Sequence, residues 1–155
     1  EKVKEYIAHL ASLYRYLIHS KDEEIVTLED EISLARNYFY LIETRFGNDY
    51  SFEIKEKEKP KANYLPNGAL LTVLENVVKH NKALHGNTIC TTISIRSDSV
   101  KIVNTIHKNE VGEESTGTGL ISLNKRYELL SDKKIKIEET NQNFIIWLPL
   151  LNLVN

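Results

Sequence analysis

At 155 residues, with 41% hydrophobic and 27% charged side chains, the chain is long enough for one ordinary core plus an appendage. A net charge of −2 leaves no basic footprint for nucleic acid, and no window holds the ~18 successive apolar residues of a membrane span, so neither is expected to touch it directly. The single cysteine, Cys90, rules out an internal disulfide and fits a reducing compartment. The chain begins at Glu1 and contains no methionine, which reads as a piece excised from a longer protein.

Over residues 3–20, Val3, Tyr6, Leu10, Leu13 and Leu17 recur at steps of three and four, flanked by Ile7, Tyr14 and Ile18, as in a helix with a wide apolar stripe. After the charged break at 21–24, Thr27 offers an N-cap with Asp30 at the third helical position, and Glu29, Asp30 and Glu31 suit the positive end of a helix dipole. Leu28, Ile32, Ala35, Phe39, Ile42 and Phe46 then form a seam that Gly47 ends. The two helices suggest a hairpin. Their stripes are wider than each can cover for the other, so either a second hairpin completes a four-helix homodimer or both pack on the domain that follows.

Residues 50–59 read as a strand ended by Pro60. Residues 65–82 read as one amphipathic helix with two different faces: Leu70, Leu71, Val73, Leu74, Val77 and Val78 on one arc, Thr72, Glu75, Asn76, Lys79 and His80 on the other. The second arc gathers an acid, an amide, an ammonium and an imidazole within two turns. Such groups suit a metal-bound polyphosphate, with oxygen ligands for a hard cation and a point positive charge for phosphate. Strands follow at 88–96 and 100–104, then a long polar stretch without periodicity up to Gly117.

Ser115-Thr116-Gly117-Thr118-Gly119 leads into a helix with the stripe Leu120, Leu123, Tyr127 and Leu130, so backbone N–H groups there can approach an anion. Residues 134–140 and 144–149 close the chain as a hairpin. This order predicts an α+β fold: a two-layer α/β sandwich in which helices cover one face of a mixed sheet, preceded by a helical hairpin.

Three sets of residues resemble one family. Residues 71–81, with Glu75-Asn76 followed by Lys79-His80, resemble the asparagine box of the histidine kinase ATP-binding domain, above all the Leu-x-x-Leu-Val-Glu-Asn-Ala-x-Lys-His of LytS-like sensor kinases. Leu13-Tyr14-Arg15-Tyr16, Ile25-Val26-Thr27-Leu28-Glu29-Asp30-Glu31, Asn37-Tyr38 and Arg45-Phe46-Gly47 resemble the linker that precedes that domain. Gly117-x-Gly119-Leu120, followed by Asn124-x-Arg126-Tyr127-Glu128-Leu129-Leu130, resembles the second glycine box. The resemblance covers essentially the whole chain. It implies a division into residues 1–47, the end of a dimerisation and linker region, and 48–155, an ATP-binding catalytic domain.

What the resemblance implies chemically is an ATP-dependent protein histidine kinase using ATP and Mg²⁺. Asn76 would supply an oxygen to the metal, Lys79 would face the phosphates, Glu75 would orient or deprotonate the attacking group, and His80 would lie beside the nucleotide. Thr116, Gly117, Thr118, Gly119 and Leu120 would form the glycine-hinged lid. The implied partners are a second copy of the chain and a response regulator with a LytTR-type output domain, the whole being the cytoplasmic part of a membrane-anchored sensor.

Two departures stand out. The family's first glycine box reads Asp-x-Gly-x-Gly, whereas Asn104 and Ile106 stand here in place of the Asp and the first Gly. A neutral amide oxygen is a weaker acceptor for the adenine amino group than a carboxylate. The phosphoacceptor motif, Pro-His-Phe-x-Phe-Asn, is absent, and none of His9, His19, His85 and His107 has that context. These departures keep a second reading open, a degenerate, non-catalytic signalling and dimerisation module.

Overall fold

The computed structural model describes residues 1–80, 87–106 and 118–153. Helix α1 spans Lys2–His19, and Ser20 closes it by returning both its N–H and its hydroxyl to the Tyr16 carbonyl. Strand β1, Ile25–Thr27, leads into helix α2, Leu28–Phe46. Thr27 caps α2 by accepting from the Asp30 N–H at 3.1 Å, and Gly47 ends it at φ 60°, a conformation that favours glycine.

Strand β2, Tyr50–Glu56, is followed by the short β3, Tyr64–Pro66, and by helix α3, Ala69–His80. The helix expected from residue 65 therefore begins four residues later. Pro66 holds Leu65 extended, β3 pairs antiparallel with β1 (Val26 opposite Leu65), and Gly68 turns at φ 75° before the helix can start. Helical periodicity in the apolar residues concealed this turn. Strands β4, Ile89–Ile95, and β5, Ser99–Thr105, helix α4, Thr118–Leu130, and strands β6, Lys136–Glu139, and β7, Asn143–Pro149, complete the chain.

The main sheet runs β2-β4-β5-β7-β6, with β2 parallel to β4 and the other neighbours antiparallel. Its buried face is set by alternation: Val100, Ile102 and Asn104 of β5 and Ile146 and Leu148 of β7 point into the core. Against them pack Leu70, Val73 and Leu74 of α3 and Leu123 and Tyr127 of α4. The Tyr127 hydroxyl satisfies itself on the Pro149 carbonyl at 2.8 Å. On the opposite face, Trp147 lies between the Lys101 and Lys136 ammonium groups, at 5.5 and 4.7 Å from its ring centroid.

α2 is built into the same core. Its Leu28, Ala35 and Phe39 join the main cluster, with Phe39 stacked on Phe52 of β2 at 4.3 Å. Its other side, Leu34 and Leu41, meets Leu13 of α1 and Leu71 of α3. His9 fastens α1 to α2, stacking on Tyr40 at 3.9 Å with its Nδ1 2.7 Å from Asn37 Oδ1. Val3, Ile7, Tyr14 and Ile18 of α1 stay exposed.

Candidate functional site

The two faces of α3 separate as its sequence directs. Leu70, Leu71, Val73, Leu74 and Val77 are buried, while Glu75 and Lys79 are exposed and Thr72, Asn76 and His80 half-buried along the other side. Partial burial pushes the Glu75 carboxyl above its ordinary range. The same cause, together with the neighbouring Lys79 ammonium, pushes the His80 imidazole down, so it is neutral near pH 7.

The C-terminal half of α3 lies over one end of the sheet. Val77 packs in one cluster with Tyr50 and with Ile89 at the start of β4, and the Tyr50 hydroxyl donates to the Val78 carbonyl at 3.3 Å. Two residues further along β4, Thr91 stands opposite Asn104, the residue at the variant adenine position. Asn104 is 2% exposed and within a strand, and its Nδ2 donates to the Thr105 carbonyl at 3.2 Å. Thr91 is 1% exposed and its Oγ1 has no hydrogen-bond partner among the described residues. A buried hydroxyl without a partner costs about 1–3 kcal/mol. Here it lies beside the one side chain of β5 whose polar group faces the core.

Thr118 and Gly119 are the exposed first residues of α4, and Leu120 packs on the main core. A Cβ at Gly119 would lie 3.4 Å from Thr72 Cγ2, so the start of α4 abuts α3 one turn before Asn76. Thr116 and Gly117 lie outside the described residues, as does the expected stretch between Ile106 and Thr118. Among the described residues no three His, Cys, Asp or Glu side chains cluster as a metal site.

Sequence reasoning passed over Thr91 as one more alternating strand residue, and its mate Asn104 was legible only through a family pattern. It also gave Tyr38 of α2 no role at the site. The Tyr38 hydroxyl is raised above its ordinary range by burial and then by the Glu75 carboxylate, so it belongs to the surroundings of that acid. A cross-helix neighbour of this kind leaves no periodic signal.

A family profile described as "Histidine kinase" matches residues 1–50. The chain is 23% identical over 170 residues to "Sensor histidine kinase/phosphatase LytS" of Staphylococcus aureus (strain Mu50 / ATCC 700699), covering 97% of this chain and 29% of that protein. The same figures hold for strain N315. The chain thus spans 29% of the length of these relatives. Among solved structures, the catalytic domain of histidine kinase ThkA superposes with a TM-score of 0.53 at 16% identity, over 82% of this chain and 98% of that one. The Acinetobacter baumannii histidine kinase AdeS superposes at 0.51 and 12%, over 96% and 80% respectively; both likenesses concern the fold. A histidine kinase profile over residues 1–50, LytS relatives aligned along nearly all of its length and a fold shared with the ThkA catalytic domain make this chain similar to a LytS-like fragment of a sensor histidine kinase.

Proposed function

We propose that this chain is the catalytic piece of a two-component sensor kinase, which binds Mg-ATP on the polar arc of α3 and transfers the γ-phosphoryl group to a histidine on an upstream helix. The observation that carries this reading is the division of α3. One side is locked into the core, and the other holds Glu75, Asn76, Lys79 and His80 outward, beside the sheet end that carries Asn104.

Phosphoryl transfer needs positioning and charge neutralisation more than covalent help. The donor set fits: Asn76 would hold a divalent ion through its amide oxygen, and the Lys79 ammonium would meet the phosphates. When bound, such an ion would supply charge screening for the triphosphate. Glu75, with its carboxyl raised by burial, is a better proton acceptor than an ordinary glutamate and orients the attacking imidazole. His80 lines the nucleotide, and Asn104 Oδ1 accepts from the adenine amino group. Gly119, with Thr118 and Leu120 at the start of α4, would line the phosphates, and Thr116 and Gly117, outside the described residues, are assigned to the same loop by the resemblance alone. Residues 1–47 act as the end of a dimerisation and linker region and 48–155 as the catalytic domain. In that division the exposed Val3, Ile7, Tyr14 and Ile18 face a second copy. The phosphoryl group passes on to a response regulator, with a LytTR-type output domain, on the cytoplasmic side of a membrane-anchored sensor.

Asn104 in place of an acid favours a second reading, a degenerate module that signals by dimerisation without productive ATP use. Calorimetric titration with Mg-ATP, then mixing with the upstream helix and following phosphohistidine, separates the two. Saturable adenine-selective binding followed by phosphorylation supports the kinase. Tight association with the helix but no heat from nucleotide supports the degenerate module.

A further inference from the structure

The proposed chemistry leaves unused the residues that hold the beginning of α3. The first amides of a helix have no partner within it, and here a different helix supplies one. Glu31 of α2, fully buried, accepts the Leu70 N–H at 3.3 Å through Oε1, and the Gly68 and Ala69 N–H groups also point to this carboxylate. Immediately upstream, the Asn67 N–H donates to the Glu24 carbonyl, and its Nδ2 donates to the Ser20 and Glu23 carbonyls at 2.6 and 3.0 Å, just past the end of α1. Arg126 of α4 donates through Nη1 to the Asn67 carbonyl. The Tyr16 hydroxyl of α1 lies beside the Glu31 carboxyl, close enough to act on it as a hydrogen-bonding neighbour, although among the described residues neither Tyr16 OH nor Glu31 Oε2 has a partner in full hydrogen-bond geometry.

We propose that Glu31 is a positioning residue for α3: with Asn67 and Arg126 it forms a clasp that fixes the start of the helix and hence the place of Asn76 and Lys79. The nucleotide part of this proposal rests on the function proposed above. A buried acid is a poor way to gain stability, since an apolar side chain of similar volume fills such a site at no desolvation penalty. A carboxylate is, however, well suited to receive several converging N–H groups at the positive end of a helix. Asn76 lies six residues beyond Leu70, about 9 Å along the axis at 1.5 Å per residue. A stiff rod clamped at Leu70 transmits any shift of its start to that point. A displacement of about 1 Å at a reacting centre costs on the order of 10²-fold.

The test compares the whole chain with Glu31→Gln at pH 8, in two measurements. Amide hydrogen exchange without nucleotide reads the clasp directly: the Leu70 to Leu74 amides are expected to exchange at least tenfold faster in the variant, and those of Val100 and Ile102 at the same rate. Unchanged exchange in α3 overturns the proposal. Mg-ATP affinity in the same samples is expected to fall between ten- and a hundredfold. Faster exchange with unchanged affinity overturns the positioning role and leaves Glu31 a structural group. If the unmutated chain binds no Mg-ATP, the kinase reading falls, and the clasp then stands or falls on exchange alone. Should Glu31→Gln fail to fold, Asn67→Ala, which removes two of the side-chain ties, is expected to show the same pair of changes in smaller measure, and its failure to do so overturns the proposal equally.

Discussion

Glu31 makes stability depend on pH in a direction opposite to that of most carboxylates. Burial raises its carboxyl from an ordinary 4.5 to about 7, despite the opposing N–H groups of Leu70, Gly68 and Ala69 and the Arg126 guanidinium. The other titratable groups that face it are the Tyr16 hydroxyl from α1 and the Tyr127 hydroxyl from α4, while α3 presents only backbone. The folded chain therefore keeps a proton that the unfolded chain has released between pH 4.5 and about 7. The stabilisation is complete below 4.5, declines as pH rises through that window and is flat above it. At ~1.36 kcal/mol per pH unit, the loss is about 3 kcal/mol at most. Glu31→Gln has no proton to lose. Urea unfolding of both proteins at intervals from pH 5 to pH 8 is expected to show the gap between them closing, or changing sign, by roughly that amount as pH rises. Curves that stay parallel over this range would refute the assignment, because every other titrating group is common to both proteins.

Asn76→Ala is expected to reduce Mg-ATP affinity more than a hundredfold by calorimetry while the melting temperature stays within a few degrees, since the side chain is half-buried and alanine favours helix. Asn104→Asp restores an acidic acceptor beside the unpartnered Thr91 hydroxyl. Adenine nucleotides should then bind more tightly by about tenfold, while the nucleotide-free protein loses on the order of 1–3 kcal/mol in a denaturant titration. Leu74→Ala, at a fully buried position in the centre of the core, is expected to cost about 2–5 kcal/mol in the same titration. Thr27→Ala removes the hydroxyl that caps α2 and should lower stability by about 1 kcal/mol without altering nucleotide affinity.

Much of this molecule could be read before any coordinate was known. The cap at Thr27, the stop at Gly47 and the two-faced helix carrying Glu75, Asn76, Lys79 and His80 follow from spacing, because a helix places residues three and four apart on one side. The terminal hairpin and the alternation in β4 and β5 were equally plain, since a strand turns successive side chains to opposite faces. The pairing of β1 with β3 was hidden, because three-residue strands are too short for a period to register and their partners lie far apart in the chain.

Sequence alone determined the local elements, the apolar and polar sides of each, and through its motifs the resemblance to one family. Only the tertiary structure decided that the seam of α2 is used against the sheet, that Thr91 and Asn104 are mates, and that Glu31 reaches across to the start of α3. Periodicity is a property of neighbours along the chain. A contact such as Glu31 to Leu70, 39 positions apart, exists only once the core has brought two helices together and excluded the water that would otherwise satisfy both groups.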